Sequence, residues 1–120
     1  SASLPSKWVA HCHCTYCRRA HGAAFVTWAG FPSESVTIDP TGTQPSWFES
    51  SPGARRAFCP RCGSPMLFTS TRWPGEMHVA RALIPEPLDR EPSAHVFFDT
   101  HVPWLEVLDS LPKKFPQGPA

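Results

Sequence analysis

No stretch of apolar residues in this 120-residue chain approaches the roughly 18 needed to cross a bilayer. Residues 1–10 also lack the basic start and apolar core of a signal peptide. We therefore expect a cytoplasmic protein without a membrane partner. The formal net charge is only +1, which argues against the strong positive field of a nucleic-acid-binding protein.

Few segments of the chain are long enough to form a helix without meeting a proline. Proline accounts for 15 of the 120 residues, well above its usual share of about 5%. Short runs of β-branched and aromatic residues lie between the prolines, and we predict strands there. These runs are Ala23 to Phe31, Val36 to Ile38, Ser46 to Glu49, Met66 to Ser70, Met77 to Leu83 and Ala94 to Phe98. One helical turn is predicted over Thr15 to Ala20, with Gly22 able to end it.

A chain of this length can bury one core and little more, so we expect a single domain over residues 1–120. The tail from Pro112 to Ala120 is rich in proline, lysine and glycine, and we expect it to be loosely ordered.

All five cysteines fall into two clusters, with Cys12, Cys14 and Cys17 in the first and Cys59 and Cys62 in the second. An odd number of clustered cysteines fits a reducing compartment better than a disulfide framework. Zinc prefers thiolate and imidazole ligands in tetrahedral geometry, and a Cys-x-x-Cys turn supplies two of them without strain. The sequence therefore predicts Zn²⁺ as the cofactor, with these five cysteines as its ligands.

The first cluster can bring three sulfurs together. Cys12 and Cys14 would leave the same face of an extended strand, and Cys17 could return to it from the following turn. Three protein ligands leave one zinc position open, as in catalytic sites, whereas structural sites are closed by four. Two alternatives stay open: a closed site completed by another residue, or a four-sulfur ribbon that joins Cys14 and Cys17 to Cys59 and Cys62.

Several short motifs around the clusters occur together in one order. They are Cys12-His13-Cys14-Thr15-Tyr16-Cys17-Arg18-Arg19, Gly22, Phe25, Trp28, Ser50-Ser51-Pro52-Gly53, Arg56 to Pro65, Pro92, His95 and Pro103-Trp104. In this order they resemble the glutathione-dependent formaldehyde-activating enzyme and centromere protein V family. The resemblance implies a mainly β, Mss4-like (β-tent) zinc domain with short sheets and little helix.

The resemblance also implies how the cysteines divide. Cys12, Cys14 and Cys17 match the family's catalytic zinc ligands, while Cys59 and Cys62 match half of a structural site. The other half is a Cys-x-Cys pair on an upstream strand, and residues 1–11 contain no cysteine. We therefore expect that strand to be missing. The zinc site of Cys59 and Cys62 would then be completed by His11 or His13, by a partner chain or by the first cluster, or the pair would hold no metal. A missing strand would also leave a sheet edge for a homodimer.

The implied activity is that of a zinc-dependent carbon–sulfur lyase, similar to S-(hydroxymethyl)glutathione synthase. Its substrate would be a glutathione-like thiol adduct of a small aldehyde, such as S-hydroxymethylglutathione, with Cys12, Cys14 and Cys17 as the catalytic residues. The alternative function is a non-catalytic, zinc-stabilised binding module of the Mss4-like group.

Three arginines, Arg18, Arg19 and Arg56, are candidates for binding substrate carboxylates, although arginines beside a thiolate site also offset its negative charge. Arg55 and Arg56 would point to opposite faces of a strand, so at most one should face the site. Two sets of side chains are expected to be mainly structural: the histidines in packed or hydrogen-bonded positions, and the tryptophans in core or pocket walls. They are His11, His13, His21 and His95, and Trp28, Trp47, Trp73 and Trp104.

Overall fold

The computed structural model describes residues 1–115. In this part of the chain seven strands and one α-helix form. They are β1 (Trp8–Cys12), α1 (Thr15–His21), β2 (Val26–Pro32), β3 (Ser46–Ser51), β4 (Ala54–Phe58), β5 (Pro65–Ser70), β6 (Glu76–Ala80) and β7 (His95–Val96). Short 3-10 turns cover Ser33–Ser35, Arg81–Leu83 and Phe98–Thr100.

The seven strands belong to one sheet in the order β3-β4-β5-β6-β2-β1-β7. Neighbouring strands are antiparallel except β1 and β7, which are parallel. The predicted fold class, mainly β with little helix, is confirmed, and the strands join into one mixed sheet.

The sheet buries a different core on each face because side chains alternate along every strand. The smaller cluster centres on Val9, Ala29 and Phe31. The larger one contains all three cysteines of the first cluster together with Val26, Trp28, Ala54, Phe68, Ala80 and Phe97. The first cysteine cluster is therefore part of the main core.

The predicted helix is confirmed, and it ends at Gly22 in the left-handed conformation, with φ of 58°. Two predicted runs differ from the structure. Val36 to Ile38 forms no strand, because a 3-10 turn precedes it and Val36 makes only an isolated bridge to Ala2. Only two residues of the run Ala94 to Phe98 pair in the sheet.

Residues 112–114 of the predicted loose tail follow the outer side of β7. The His95 amide donates to the Pro112 carbonyl at 2.8 Å, and the Lys114 amide donates to the His95 carbonyl at 2.8 Å. Residues 116–120 lie outside the described residues. The single domain over residues 1–120 stays a prediction.

Across residues 1–115, no helix has both the length and the apolar character needed to cross a membrane. The cytoplasmic location stays a prediction.

Candidate metal centre

The three cysteines of the first cluster come together where β1 meets α1. Cys12 ends the strand, Cys14 caps the helix and Cys17 lies in its first turn. The Cys17 amide donates to the Cys14 sulfur at 3.2 Å, and the sulfurs of Cys12 and Cys17 are 3.6 Å apart. All three sulfurs lie within 4.8 Å of one another, and the residues are 2–6% exposed. We call this group the cysteine triad.

The triad already stabilises a negative charge on Cys17. Hydrogen bonds from the Cys12 and Cys14 thiols, followed by the charge of Arg56, hold the pKa of Cys17 well below its usual value. The Trp28 indole N–H also donates to the Cys17 sulfur, at 3.4 Å. The pKa of Cys12 is raised, first because its proton is shared with Cys14 and Cys17 and then because of burial. A metal cation would replace the shared protons at these three soft donors, which is a donor set that suits zinc.

Arg56 is the cation of this site. It is 3% exposed, its Nη2 lies 3.6 Å from the Cys17 sulfur, and its guanidinium lies 4.7 Å from the centre of the Phe68 ring. Its Nη1 is buried and has no hydrogen-bond partner among the residues described. A buried cation with an unsatisfied donor needs negative charge nearby, so Arg56 fits a triad that holds metal as thiolates.

The neighbouring arginine points the other way. Arg55 is exposed, and its guanidinium lies 5.3 Å from the centre of the Trp47 ring. The prediction that only one of this pair faces the site is confirmed, and the residue is Arg56.

Arg18 and Arg19 line an open cavity of about 370 Å³ together with Trp104. None of the triad cysteines lines this cavity. Arg18 is also engaged with the backbone, since its Nη1 donates to the Thr100 carbonyl at 2.9 Å. The substrate-binding role of these two arginines stays a prediction.

The second cluster forms a surface turn apart from the triad. Cys59 is half-buried and Cys62 is exposed, and the Gly63 amide closes the turn by donating to the Cys59 carbonyl at 2.7 Å. Within residues 1–115, no histidine, cysteine or acidic residue completes a group of three ligands with this pair. The four-sulfur ribbon is therefore not formed, and zinc on Cys59 and Cys62 stays a prediction.

The two histidines considered as further ligands of the second cluster, His11 and His13, have other partners. His11 Nδ1 lies 2.8 Å from the Thr27 hydroxyl, and His13 Nε2 lies 2.8 Å from His95 Nδ1. His95 Nε2 in turn lies 2.9 Å from an oxygen of Asp109. Because His13 stands between two triad cysteines, this chain of hydrogen bonds braces the loop that carries them. Burial lowers the pKa of His13 to about 4, so its ring is neutral near pH 7.

Asp109 is the residue of this network that sequence reasoning missed. It lies 14 residues beyond His95 in an irregular segment, and no motif surrounds it. Only the fold places its carboxylate beside the histidine.

One small cavity borders the triad. Its volume is about 40 Å³, and Cys12 and Cys17 form part of its wall. The other lining residues are mostly aromatic or apolar: Trp8, Ala10, Trp28, Phe68, Trp73, His78, Val96 and Phe97. A small molecule in this cavity would lie against two of the sulfurs in surroundings with little water.

Fold and site together define the class of protein: a small, mainly β domain with a buried three-cysteine centre suited to metal. The sequence model of the family described as glutathione-dependent formaldehyde-activating enzyme matches residues 2–100, and the chain belongs to this family.

A search of solved structures finds a similar fold in the crystal structure of a Rhodobacter sphaeroides protein. Its TM-score is 0.58 and its identity 18%, over 94% of this chain and 86% of that chain. At this identity the likeness concerns the fold alone. A search of curated proteins finds no match.

The expectation of a missing N-terminal Cys-x-Cys strand is wrong. The first strand of the sheet ends at Cys12 and leads directly to Cys14, so a Cys-x-Cys pair is present there. The pair belongs to the cysteine triad, because both sulfurs lie within 4.8 Å of Cys17.

Proposed function

We propose that this protein is a zinc-dependent carbon–sulfur lyase, similar to S-(hydroxymethyl)glutathione synthase, which handles a thiol adduct of a small aldehyde. The observation that carries the proposal is the cysteine triad, whose sulfurs lie within 4.8 Å of one another beside a cavity. Three protein ligands leave one tetrahedral position for a small molecule, as catalytic zinc requires. Membership of the family supports the same reaction class.

Cys12, Cys14 and Cys17 would hold the zinc as thiolates. When bound, zinc supplies Lewis acidity toward an aldehyde oxygen and keeps a substrate thiol deprotonated at neutral pH. Arg56 offsets part of the thiolate charge through its contact with Cys17, so its role here is charge compensation.

The surrounding side chains position the triad and keep it dry. The Trp28 indole fixes the Cys17 sulfur with its N–H, while Phe68 closes the core on that side. His13 holds the loop between the cysteines through its bond to His95. A preorganised site of this kind needs little rearrangement when a substrate arrives.

The alternative is a non-catalytic binding module in which the zinc serves only to stabilise the fold. The near-complete burial of the triad favours it, because closed structural sites are similarly shielded. In that case a fourth ligand would have to come from outside the triad.

Zinc analysis and an activity assay decide between these proposals. We expect one zinc on the triad that is lost in Cys14→Ser and retained in Cys62→Ser, measured by elemental analysis after purification without chelator. We also expect the zinc-loaded protein to accelerate the release of formaldehyde from S-hydroxymethylglutathione. A zinc-loaded protein without this activity would favour the binding module, and retention of all zinc in Cys14→Ser would refute a metal at the triad.

A further inference from the structure

We propose that His11, His95 and Asp109 form a second metal site, which binds a divalent transition metal such as zinc. Each residue offers one ligand atom, and the three atoms lie within 4.8 Å of one another. The site uses none of the five cysteines, and the inference does not depend on the proposed lyase activity.

Strand pairing brings the two histidines together. His11 on β1 and His95 on β7 are direct partners in the parallel register. Their ring centres are 4.8 Å apart, and the ring planes are inclined by 31°. Because side chains alternate along a strand, His11 lies on the opposite face of β1 from Cys12. A metal held by the histidines is therefore separate from the cysteine triad.

The carboxylate comes from the segment that follows the outer side of β7. Both Asp109 oxygens lie 2.9–3.0 Å from His95 Nε2, and Oδ1 also accepts a hydrogen bond from the Leu111 amide at 3.0 Å. The Asp109 side chain is 44% exposed, whereas that of His95 is only 2% exposed. The site is thus open to solvent on the Asp109 side, where a metal ion can enter.

Both histidines have a hydrogen-bond partner for the ring nitrogen that faces away from the site. His11 Nδ1 lies 2.8 Å from the Thr27 hydroxyl, and His95 Nδ1 lies 2.8 Å from His13 Nε2. Metal-bound histidines almost always use their second nitrogen in this way, because the bond fixes the tautomer and the orientation of the ring. With Nδ1 protonated in each ring, both Nε2 atoms present lone pairs to the metal.

The donor set selects the class of metal. Two imidazole nitrogens and one carboxylate oxygen suit zinc and its transition-metal neighbours, whereas magnesium and calcium prefer oxygen ligands. Zinc–nitrogen bonds of about 2.0–2.1 Å place neighbouring ligand atoms roughly 3.3 Å apart in a tetrahedron. The ligand atoms therefore need to approach by about 1.5 Å at most. The half-buried His11 and the exposed Asp109 side chains have room for that movement.

A metal-free relay of hydrogen bonds is the competing explanation for this cluster. It would run from Asp109 through His95 to His13 and accounts for the bonds of all three. The relay gives no role to His11, whereas the metal site requires it. The two explanations therefore differ in the effect of a change at His11.

Calorimetric zinc titration of the metal-free Cys62→Ser protein tests the inference, because this variant impairs the second cysteine cluster as a competing site. We expect two zinc ions per chain, one on the triad and one on the histidines. Adding His11→Gln should remove one of them, and an excess of magnesium should displace neither. An unchanged number of bound zinc ions after His11→Gln would overturn the inference. If the triad binds no zinc, the number should still fall by one, so failure of this site is distinguishable from failure of the lyase proposal.

Asp109→Asn should weaken the same zinc ion at least 100-fold, since loss of even an outer partner of a ligand costs about 10–100-fold. Asp109 is exposed, so this variant keeps the test valid if His11→Gln fails to fold. The matched controls are His101→Gln and Asp99→Asn, which change exposed residues outside the site and should leave both zinc ions bound.

Thr27→Val removes only the outer partner of His11 and should weaken the zinc ion about tenfold. A relay without His11 would be unaffected by this change. Zinc loss in Asp109→Asn without any loss in His11→Gln would overturn the three-ligand site.

Discussion

At the scale of single residues, Arg56 and Arg55 show how the alternation of a strand divides two identical side chains between two roles. Arg56 lies in the core beside the Cys17 sulfur, and Arg55 lies on the surface over Trp47. This division follows from period-two geometry and was predictable from sequence. The alternation by itself did not decide which arginine faces inward.

Arg56→Met should lower the zinc affinity of the triad by about 10–100-fold, because loss of an outer partner of a metal ligand typically has that effect. Methionine keeps much of the volume but removes the charge and the contact with Cys17. Affinity is measured by competition with a chromophoric chelator. The matched control is Arg55→Met, and an equal loss in both variants would contradict a specific role for Arg56.

Cys62 should be the most reactive thiol of the metal-free protein near neutral pH. The hydroxyl and then the backbone of Ser64 lower the pKa of Cys62 to about 7, so thiolate accumulates as the pH rises through that value. Alkylation by iodoacetamide, followed by peptide mass spectrometry over a pH series, should show an inflection near pH 7.

Ser64→Ala supplies the control for this prediction. Without the hydroxyl, the inflection should move up toward the ordinary thiol value of about 8.5. An unshifted inflection would show that Ser64 does not set the reactivity of Cys62.

At the scale of secondary structure, β1 connects the sheet to both functional features. Cys12 at its end belongs to the triad, and Trp8 at its start lines the small cavity beside the triad. Trp8 pairs with Gly30 on β2, where the absence of a side chain leaves room for the indole. A Cβ added at Gly30 would lie within 2.7 Å of Trp8 Cζ2.

Gly30→Ala should therefore destabilise the protein by about 1–3 kcal/mol, the usual cost of overpacking a core. Urea denaturation followed by circular dichroism measures the change. Gly42→Ala is the control, since its Cβ would lie 3.7 Å from the nearest atom, the Asp39 carbonyl oxygen, and its effect should stay within about 0.5 kcal/mol. Equal stability of wild type and Gly30→Ala would mean that Trp8 relaxes freely.

The secondary structure was only partly predictable. Proline spacing and β-branched runs indicate strands such as β2, β3 and β5, and Gly22 marks the end of α1. The strands β1 and β4 were not among the predicted runs. Cys12 in β1 and two arginines in β4 interrupt the runs of β-branched and aromatic residues that predict strands. Pairing with neighbouring strands stabilises β1 and β4 instead.

At the scale of the whole molecule, the site depends on contacts between distant parts of the chain. The bonds that join His13 to His95, and Arg56 to Cys17, span 82 and 39 residues. Sequence motifs identified the sulfurs because they lie close together in the chain. They did not identify Asp109 or the walls of the small cavity beside the triad, because only the fold brings those residues together.

The predicted homodimer also concerns the whole molecule, but the reason for expecting it, a sheet edge left by a missing first strand, does not apply. The supposedly missing strand would have left an open edge, whereas β1 lies inside the sheet between β2 and β7. The edge that remains for pairing is β3, where Phe48 is 43% exposed. Edge strands present unpaired backbone groups that a second copy can bind.

Sedimentation velocity tests the dimer. We expect a dimer in the wild type and a shift toward monomer in Phe48→Lys, because a charge on the edge opposes strand pairing. Leu108 is 82% exposed and lies outside β3, so Leu108→Lys should leave the distribution between monomer and dimer unchanged. A monomeric wild type at high concentration would refute the dimer.

The triad and the small cavity beside it differ in how they are encoded, and this has a consequence for unfolding. The three sulfurs lie within six consecutive residues, from Cys12 to Cys17, whereas the cavity takes its walls from residues as far apart as Trp8 and Phe97. An unfolded chain therefore keeps its zinc ligands near one another but loses the cavity completely, so denaturation should abolish substrate binding before it releases zinc. A metal that also binds the unfolded chain stabilises the fold less than its affinity suggests.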